Sequence, residues 1–293
     1  MKRVLFSILI CFLSVPAYAQ QQHVISIRGG ETNLNAAKRV KQKEIGQAGM
    51  EFFYDYRRLT DTTDAASEQQ DMMILQINQD MSKFSSYRAM QIDSLMSVST
   101  VDQIMANPVK YAGGESFSVY KNYPSGKVTT VDKIATDWFM CEEDIPVQEW
   151  SIDDSATKEI LGYRCRRAEC DFRGRKYVAW YSDEIPVSSG PWKFGGLPGF
   201  IMEAGDSEGH YKFTLVGINS NAARAITIPD IQFNKTGRDK FYTAKRKYDV
   251  DPIGYISAIS GIKLNITTPD GAPNEEMMKP RELKYDYIER DYK

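Results

Sequence analysis

A ten-residue loop rich in glycine and proline constrains the fold of this chain more than any other stretch. Residues 190–199 read Gly-Pro-Trp-Lys-Phe-Gly-Gly-Leu-Pro-Gly, with four glycines, two prolines and two aromatic residues. Neither a helix nor a regular strand accommodates this composition, because proline lacks the backbone donor and glycine favours turns. Alternating apolar and polar residues on both sides predict β-hairpins. We therefore expect one shaped segment, here called the central loop, between two hairpins.

The hairpin before the central loop has a predictable register. Residues 172–175, Phe-Arg-Gly-Arg, are typical of a two-residue turn in which Gly174 adopts a positive φ. Such a turn pairs the flanking residues in order, out to Arg167 opposite Trp180. A β-bulge near Arg166 is also predicted, because only a one-residue slip keeps the earlier apolar side chains on the core face.

The two faces of this hairpin differ in chemistry. The outer face pairs Asp171 with Lys176, and it places Arg167 beside Trp180 in a position that favours a cation–π contact. The inner face is the core side and leaves a shallow spot between two alanines, which Trp192 or Phe194 would fill at the lowest cost. Its residues are Phe172, Cys170 opposite Tyr177, and Ala168 opposite Ala179.

The central loop has two interpretations. It is either a rigid corner packed on the hairpin, or a surface whose aromatic residues face outward and hold a partner. The candidate binding residues of the second interpretation are Trp180, Tyr181, Pro191, Trp192, Lys193, Phe194 and Leu197. The residues expected to shape the backbone are Gly174, Gly190, Gly195, Gly196, Pro198 and Gly199. The corner is the favoured interpretation, because the prolines stiffen the loop whether or not it binds anything.

The rest of the chain predicts a mainly β protein. Strand patterns recur from Met50 to Asn219 and are separated by turn signals, with accessory helices at both ends. We expect a single curved antiparallel sheet or half-barrel, with a β-sandwich as the alternative. Further local predictions are a helix over Leu34–Ile45, a turn at Asp153–Ser155, a capping box from Thr236 to Asp239, and an edge segment near Leu283–Ile288.

The N-terminus has the pattern of a secretory signal peptide. Two basic residues precede an apolar run, and Ala17-Tyr18-Ala19 fits a signal-peptidase site. Cleavage there would leave residues 20–293 as a single β-rich domain in the periplasm or at the outer membrane or cell surface. No later stretch is apolar enough to span a bilayer. Without Lys2 and Arg3 the chain has 35 basic and 39 acidic residues, which disfavours nucleic-acid binding.

Three cysteines remain after the signal peptide, and an exported protein permits disulfides. Cys165 and Cys170 lie on one strand about 16 Å apart, which is too far for a bond between them. Cys141 could therefore pair with either of them. No metal site and no cofactor are expected, since there is no C-x-x-C and only His23 and His210 are available as histidine ligands.

The familiar catalytic motifs are absent. The sequence contains no G-x-S-x-G, no H-E-x-x-H and no P-loop. Neighbouring carboxylates such as Asp153 and Asp154 point to opposite faces of a strand, so they do not form a catalytic pair. No catalytic residue is therefore assigned.

The central stretch resembles the GLPGLI family of exported Bacteroidota proteins. The motif that names the family reads Gly-Leu-Pro-Gly-Phe-Ile at residues 196–201, and the similarity extends from Trp150 through the hairpin and the central loop. Pro280-Arg281-Glu282-Leu283 resembles the Pro-x-Glu-Leu ending of the family. The resemblance implies a β-rich envelope protein, often encoded near outer-membrane TonB-dependent receptors. It implies no reaction and no catalytic residues.

Three functions remain open. The first is a non-enzymatic protein that binds an apolar or glycan ligand in an aromatic-lined groove with no cluster of titratable groups. The second is a periplasmic hydrolase of unrecognised type, which requires acids or a base converging in a cleft with perturbed pKa values. The third is a role in envelope assembly beside a TonB-dependent receptor or another envelope protein.

Overall fold

The protein is built almost entirely from strands. A computed structural model describes residues 24–28, 40–261, 263–267, 274–276 and 278–292. The strands are β1 Val24–Arg28, β2 Gln42–Gln47, β3 Met50–Leu59, β4 Glu68–Ile77, β5 Ser82–Ser86, β6 Ser118–Lys121, β7 Lys127–Ile134, β8 Asp137–Asp144, β9 Ser151–Ile160, β10 Tyr163–Phe172, β11 Arg175–Ser182, β12 Phe200–Asp206, β13 Tyr211–Asn219, β14 Ala225–Pro229, β15 Asn234–Lys235 and β16 Lys263–Thr267. The helices are α1 Tyr87–Met96, α2 Val101–Ala106, α3 Arg238–Val250 and α4 Pro252–Ser260, with short 3-10 turns at Ala65–Ser67 and Pro108–Tyr111.

Twelve strands form one continuous sheet. Its order is β15-β8-β7-β6-β5-β4-β3-β13-β12-β11-β10-β9, and every pairing is antiparallel except that of β15 with β8. The two edge strands do not pair with each other, so the sheet is open and does not close into a barrel. The predicted fold class, a mainly β protein on one large antiparallel sheet with accessory helices, is confirmed. Two further two-stranded sheets, β1-β16 and β14-β2, lie beside it. The single domain over residues 20–293 stays a prediction.

The register of the β10–β11 hairpin is confirmed. Arg167 lies opposite Trp180, and each following pair is in the predicted order down to the turn. The predicted bulge is also present, because the pairing of β10 with β9 shifts between Arg166 and Arg167. The turn works as expected, since Arg173 and Gly174 both adopt positive φ values of 53° and 75°.

The contacts on the outer face differ from the predicted ones. Lys176 pairs with Glu169 at 2.9 Å rather than with Asp171. The cation over the Trp180 ring is Lys158 of β9, 4.5 Å from the ring centroid, rather than Arg167. In both cases the register is right, but a long side chain reaches a diagonal neighbour or, for Lys158, across β10 to β11 instead of the residue directly opposite.

Other local predictions were wrong. The predicted turn at Asp153–Ser155 is a bulge within β9, where the Asp153 carboxylate accepts from the Ser155 backbone, and the chain turns only at Leu161. Helix α3 begins after Gly237 without a side-chain cap. The predicted helix over Leu34–Ile45 falls partly outside the described residues, and its described end belongs to β2. The segment near Leu283–Ile288 does not pair as a strand. The predicted signal peptide lies outside the described residues.

The main core lies on one face of the central strands. Large side chains of β3, β11, β12 and β13 interlock there with those of the central loop, and Phe213 lies between Tyr56 and Phe84 with ring centroids 4.9 and 5.9 Å away. A second cluster forms where β14 packs its two isoleucines, Ile226 and Ile228, on the opposite side. A third cluster anchors α3 on β7 and β8. No helix within the described residues is long and apolar enough to cross a membrane.

Candidate ligand-binding cavity and the central loop

The central loop is packed against the β10–β11 hairpin. Trp192 and Phe194 are 2% and 0% exposed, and both rings contact Tyr177 and Phe172 on the face that also carries the two alanines. Trp192 adopts a positive φ of 48°, an unfavourable backbone angle for a bulky residue, which the tight packing around it maintains. The loop is therefore part of the core, and only selected atoms of it reach a cavity described below.

Polar side chains fix the backbone of the loop. The Lys121 ammonium donates to the carbonyl oxygens of Gly190 and Phe194 at 2.7 and 2.8 Å. The Trp150 indole donates to the Gly195 carbonyl at 2.8 Å, and Gln148 binds the loop backbone through both ends of its amide. These groups satisfy carbonyls that have no partner in a ladder, which a buried irregular segment requires.

Lys121 predicts a pH dependence of stability. Burial lowers its pKa to about 7, whereas in the unfolded chain a lysine titrates near ~10.4. Between these values the unfolded chain binds more protons than the folded one, so stability rises with pH. We expect the urea midpoint to increase from pH 7 to 9 and the Lys121→Met variant, although less stable, to show a smaller increase. An equal increase in the unaltered protein and in Lys121→Met would contradict this expectation. The control is Lys41→Met, a substitution on the surface.

Two glycines of the loop are required by the backbone. Gly196 has a φ of +81°, and a Cβ at Gly199 would lie 2.3 Å from the Ser182 carbonyl oxygen. We expect Gly196→Ala to lower the free energy of unfolding by about 1–2 kcal/mol, because an L-residue is strained at that φ. Gly195→Ala is the matched control: its nearest neighbour lies 4.0 Å from the added Cβ. Equal melting temperatures of the two variants would show that the loop backbone is not held in place.

Lys193 lies in a buried network of charges. Its ammonium, with the side chain 2% exposed, binds Glu289 at 2.6 Å and also contacts Glu143. Glu289 is 1% exposed and accepts from Arg238 at 2.9 Å as well. Arg173, in the hairpin turn, contacts both glutamates. The network therefore ties the central loop and the hairpin to residues 280–292, here called the C-terminal segment.

The remaining predicted residues are dispersed. Tyr181 and Leu197 are buried in the main core, Pro191 is buried in the loop, and Trp180 is half-buried on the outer face. Of the seven candidate binding residues, Trp192 lines the large cavity and Trp180 a smaller groove.

The three cysteines are buried free thiols, so the pairing of Cys141 with Cys165 or Cys170 is not formed. Cys141 belongs to the cluster under α3, whereas Cys165 and Cys170 belong to the main core, so Cys141 lies in a different part of the interior from its two predicted partners.

A cavity of about 660 Å³ opens between the sheet, α3 and the C-terminal segment. Its volume lies within the ~300–1,000 Å³ of small-molecule sites. The aromatic residues of its lining are Tyr56, Phe117, Trp192, Tyr211, Phe241, Tyr242, Tyr248, Tyr285 and Tyr287. The charged residues are Arg58, Asp71, Glu115, Asp132, Lys133, Lys245, Asp249, Arg281 and Glu289.

Two pairs of oppositely charged side chains line the cavity. Arg58 binds Glu115 at 2.7 Å, and Lys245 binds Asp132 at 2.7 Å. Burial disfavours the charged form of Lys245, but Asp132 and Asp249 outweigh it and hold its pKa above the ordinary value. Burial also raises the pKa of Asp71, whose carboxylate accepts from the Glu115 backbone at 2.8 Å. The lining thus combines fixed polar groups with aromatic rings.

The C-terminal segment closes one side of the cavity. The hydroxyls of Tyr285 and Tyr287 donate to the Asp249 carboxylate at 3.0 and 2.6 Å, and burial together with Asp249 raises the pKa of both tyrosines. Arg281, from the Pro-Arg-Glu-Leu stretch, donates to the Asp249 carbonyl at 2.6 Å. These bonds hold the segment against α3.

A cluster that resembles a metal site is already occupied by a cation. Ligand atoms of Glu208, His210 and Asp286 lie within 4.8 Å of one another. The Arg290 guanidinium lies among them and donates to Glu208 at 2.5 and 2.7 Å and to Asp286 at 2.6 Å. The two carboxylates therefore have a permanent counter-charge, and the cluster joins the C-terminal segment to the turn before β13.

The residues of the cavity could not be recognised as a set from the sequence. Asp71, Asp132 and Asp249 come from β4, β7 and α3, and none of them belongs to a motif. Two indications existed, the central loop, which supplies Trp192, and the Pro-Arg-Glu-Leu stretch, which supplies Arg281. Each of these stretches supplies only one residue of the lining.

Comparison with known proteins gives a limited likeness. A family model described as "Protein of unknown function (Porph_ging)" matches residues 173–203, the stretch from the β10–β11 turn through the central loop to β12. No curated protein matches the chain. Two solved structures, titled "Structure of PNGF-II" in the P21 and C2 space groups, each show 14% identity and a TM-score of 0.47 over 70% of this chain. The chain spans about a third of their length, 34%. The family match thus covers β11 and the central loop but not β10, and it includes little of the cavity.

Proposed function

We propose that this protein is a binding protein of the cell envelope that takes a small ligand into the cavity between the sheet, α3 and the C-terminal segment. The observation that carries the proposal is the cavity itself, with about 660 Å³ of space and nine aromatic residues in its lining. The groove differs from the one expected for a binding protein, because it also contains many titratable groups. The carboxylates among them already accept hydrogen bonds from fixed donors. Because their positions are held in this way, they are suited to recognise polar atoms of a ligand.

The test is to block the cavity. Ser116 is an exposed residue of its lining, so Ser116→Trp should fill part of the space. Ser155→Trp, on the exposed side of β9, is the matched control. Each protein is purified from its own envelope fraction, and small molecules that it retains are identified by mass spectrometry. We expect the unaltered protein and the control to retain the same compound and Ser116→Trp to lose it. Equal retention by all three would contradict the proposal.

Hydrolysis is the second candidate function, and Asp71 is the observation that favours it. This carboxyl lines the cavity, and burial raises its pKa, as an acid catalyst would need. The retained compound distinguishes the two functions. A binding protein returns it unchanged after prolonged incubation, whereas a hydrolase releases products, and Asp71→Asn would then abolish release while the compound still binds.

Export and membership of the GLPGLI family belong to the same proposal. They are supported by the basic-apolar-small pattern of residues 1–19 and by the Gly-Leu-Pro-Gly-Phe-Ile stretch at 196–201. N-terminal sequencing of the envelope-associated protein should begin at Gln20. Association with a TonB-dependent receptor is tested by cross-linking in the envelope, and recovery of the protein without a receptor would leave only the ligand-binding role.

A further inference from the structure

The charge balance of the cavity indicates a neutral ligand. Its lining carries four cations and four anions, apart from Glu289, which Lys193 and Arg238 neutralise. Two of the cations are bound directly to carboxylates of the lining, as described above. A charged ligand would therefore be repelled by as many lining charges as attract it. The lining has no excess charge that could neutralise such a ligand.

The same groups disfavour an apolar ligand. An acyl chain that enters the cavity would cover the Asp132–Lys245 and Arg58–Glu115 pairs without giving them any hydrogen bond. Covering polar groups in that way is costly, because their water is removed and not replaced. A carboxylate has about four acceptor positions. Asp132 accepts from Ser116, Lys245 and the Lys133 backbone, and Asp249 accepts from Tyr285 and Tyr287, so each has at least one position left. The free positions suit hydroxyl donors.

Aromatic rings at the cavity provide apolar faces beside these acceptors. Tyr248 and Tyr285 are half-buried and line the space from α3 and from the C-terminal segment. The Tyr285 hydroxyl is anchored on Asp249, so the orientation of its ring is fixed. A pyranose ring has an apolar C–H face and a rim of hydroxyls, and it matches a site in which a fixed ring lies next to carboxylates.

A peptide fits this cavity less well. The strands that line it, β3, β4, β7 and β13, are all interior strands of the sheet and are hydrogen-bonded on both sides. An extended peptide commonly binds by adding a strand to a free edge, and this cavity has no such edge among the described residues. Recognition here must therefore go through side chains.

From these observations we infer that the cavity binds a neutral carbohydrate, with pyranose faces on Tyr248 and Tyr285 and hydroxyls on Asp132 and Asp249. This inference rests on the proposed binding function and names its ligand class.

The experiment is a glycan array followed by calorimetry with the purified protein. The array carries neutral, anionic and cationic oligosaccharides, and palmitate and trialanine are tested separately in solution. We expect binding to neutral glycans, weakened about three- to tenfold by Tyr248→Leu and by Tyr285→Leu through loss of ring contact. Tyr163→Leu, which removes a half-buried tyrosine far from the cavity, should bind like the unaltered protein. Melting curves establish that each variant is folded.

The outcomes separate the inference from the proposed function. Absence of binding to any neutral glycan, or binding that neither tyrosine variant nor Ser116→Trp weakens, overturns the carbohydrate inference. If palmitate, trialanine or a charged glycan binds instead and Ser116→Trp abolishes that binding, the cavity is a ligand site and only its ligand class is wrong. If nothing binds and nothing is retained from the envelope, both proposals fail.

Discussion

Replacing Phe194 by alanine is expected to lower the free energy of unfolding by about 3–5 kcal/mol. The ring is completely buried and contacts five other aromatic rings, the nearest being Tyr177 at 4.8 Å and Trp192 at 5.1 Å between centroids. Those rings are held by β10, β11 and β13, by the residue before β9 and by the central loop, so they cannot collapse into the space that the substitution leaves. The residual cavity then adds to the lost transfer free energy.

Urea denaturation measures the effect, with Phe53→Ala as the control. Phe53 is a half-buried phenylalanine on the other face of β3, where it meets Tyr87 edge to face. Its loss should cost much less, because part of the ring is already in water. If both variants lose the same stability, the central loop does not contribute a tightly packed part of the core.

Replacing Glu289 by glutamine should destabilise the protein by about 3–5 kcal/mol. The substitution removes the negative charge that Lys193, Arg238 and Arg173 share, while the Lys193 ammonium remains buried. Glu143 alone is then left to balance the buried Lys193 ammonium and Arg173. This partly uncompensated buried charge is the costly product, more than the loss of the attraction itself. The exposed pair Lys127–Asp144 gives the control, since Asp144→Asn should leave the urea midpoint unchanged.

A double substitution distinguishes this cause from simple loss of packing. Lys193→Met combined with Glu289→Leu removes both charges, so it should cost less than the sum of the single changes Lys193→Met and Glu289→Leu. If the two single effects add without any coupling, the stability of this region comes from shape and not from the pairing of charges.

Local features of the sequence were predictive where local chemistry decides the structure. The β10–β11 register followed from one glycine turn and the alternation of its flanks, because a hairpin turn fixes every pair beyond it. The turn expected at Asp153–Ser155 failed for an instructive reason. Aspartate and serine favour bulges as well as turns, and the hydrogen bonding of β9 to β10 decided between them.

The cavity could not be predicted from such local features of the sequence. Its lining is assembled from β3, β4, β7, β13, α3 and the C-terminal segment, which come together only in the folded protein. Tyr248 and Tyr285 look like ordinary amphipathic positions in the sequence. The burial of Lys193 was equally hidden, because its partner Glu289 lies in a charged stretch that resembles a solvated tail.

The place of β13 beside β3 in the sheet has a consequence for biosynthesis. Glu51 contacts Asn219, 168 residues further along the chain, and β13 is the link between the two halves of the sheet. While the ribosome is still making the intervening residues, β3 has a bare hydrogen-bonding edge that no other strand covers. Such long-range pairing slows folding and leaves a nascent chain prone to aggregation. The cell should therefore need a chaperone to hold the growing polypeptide until residue 219 has emerged.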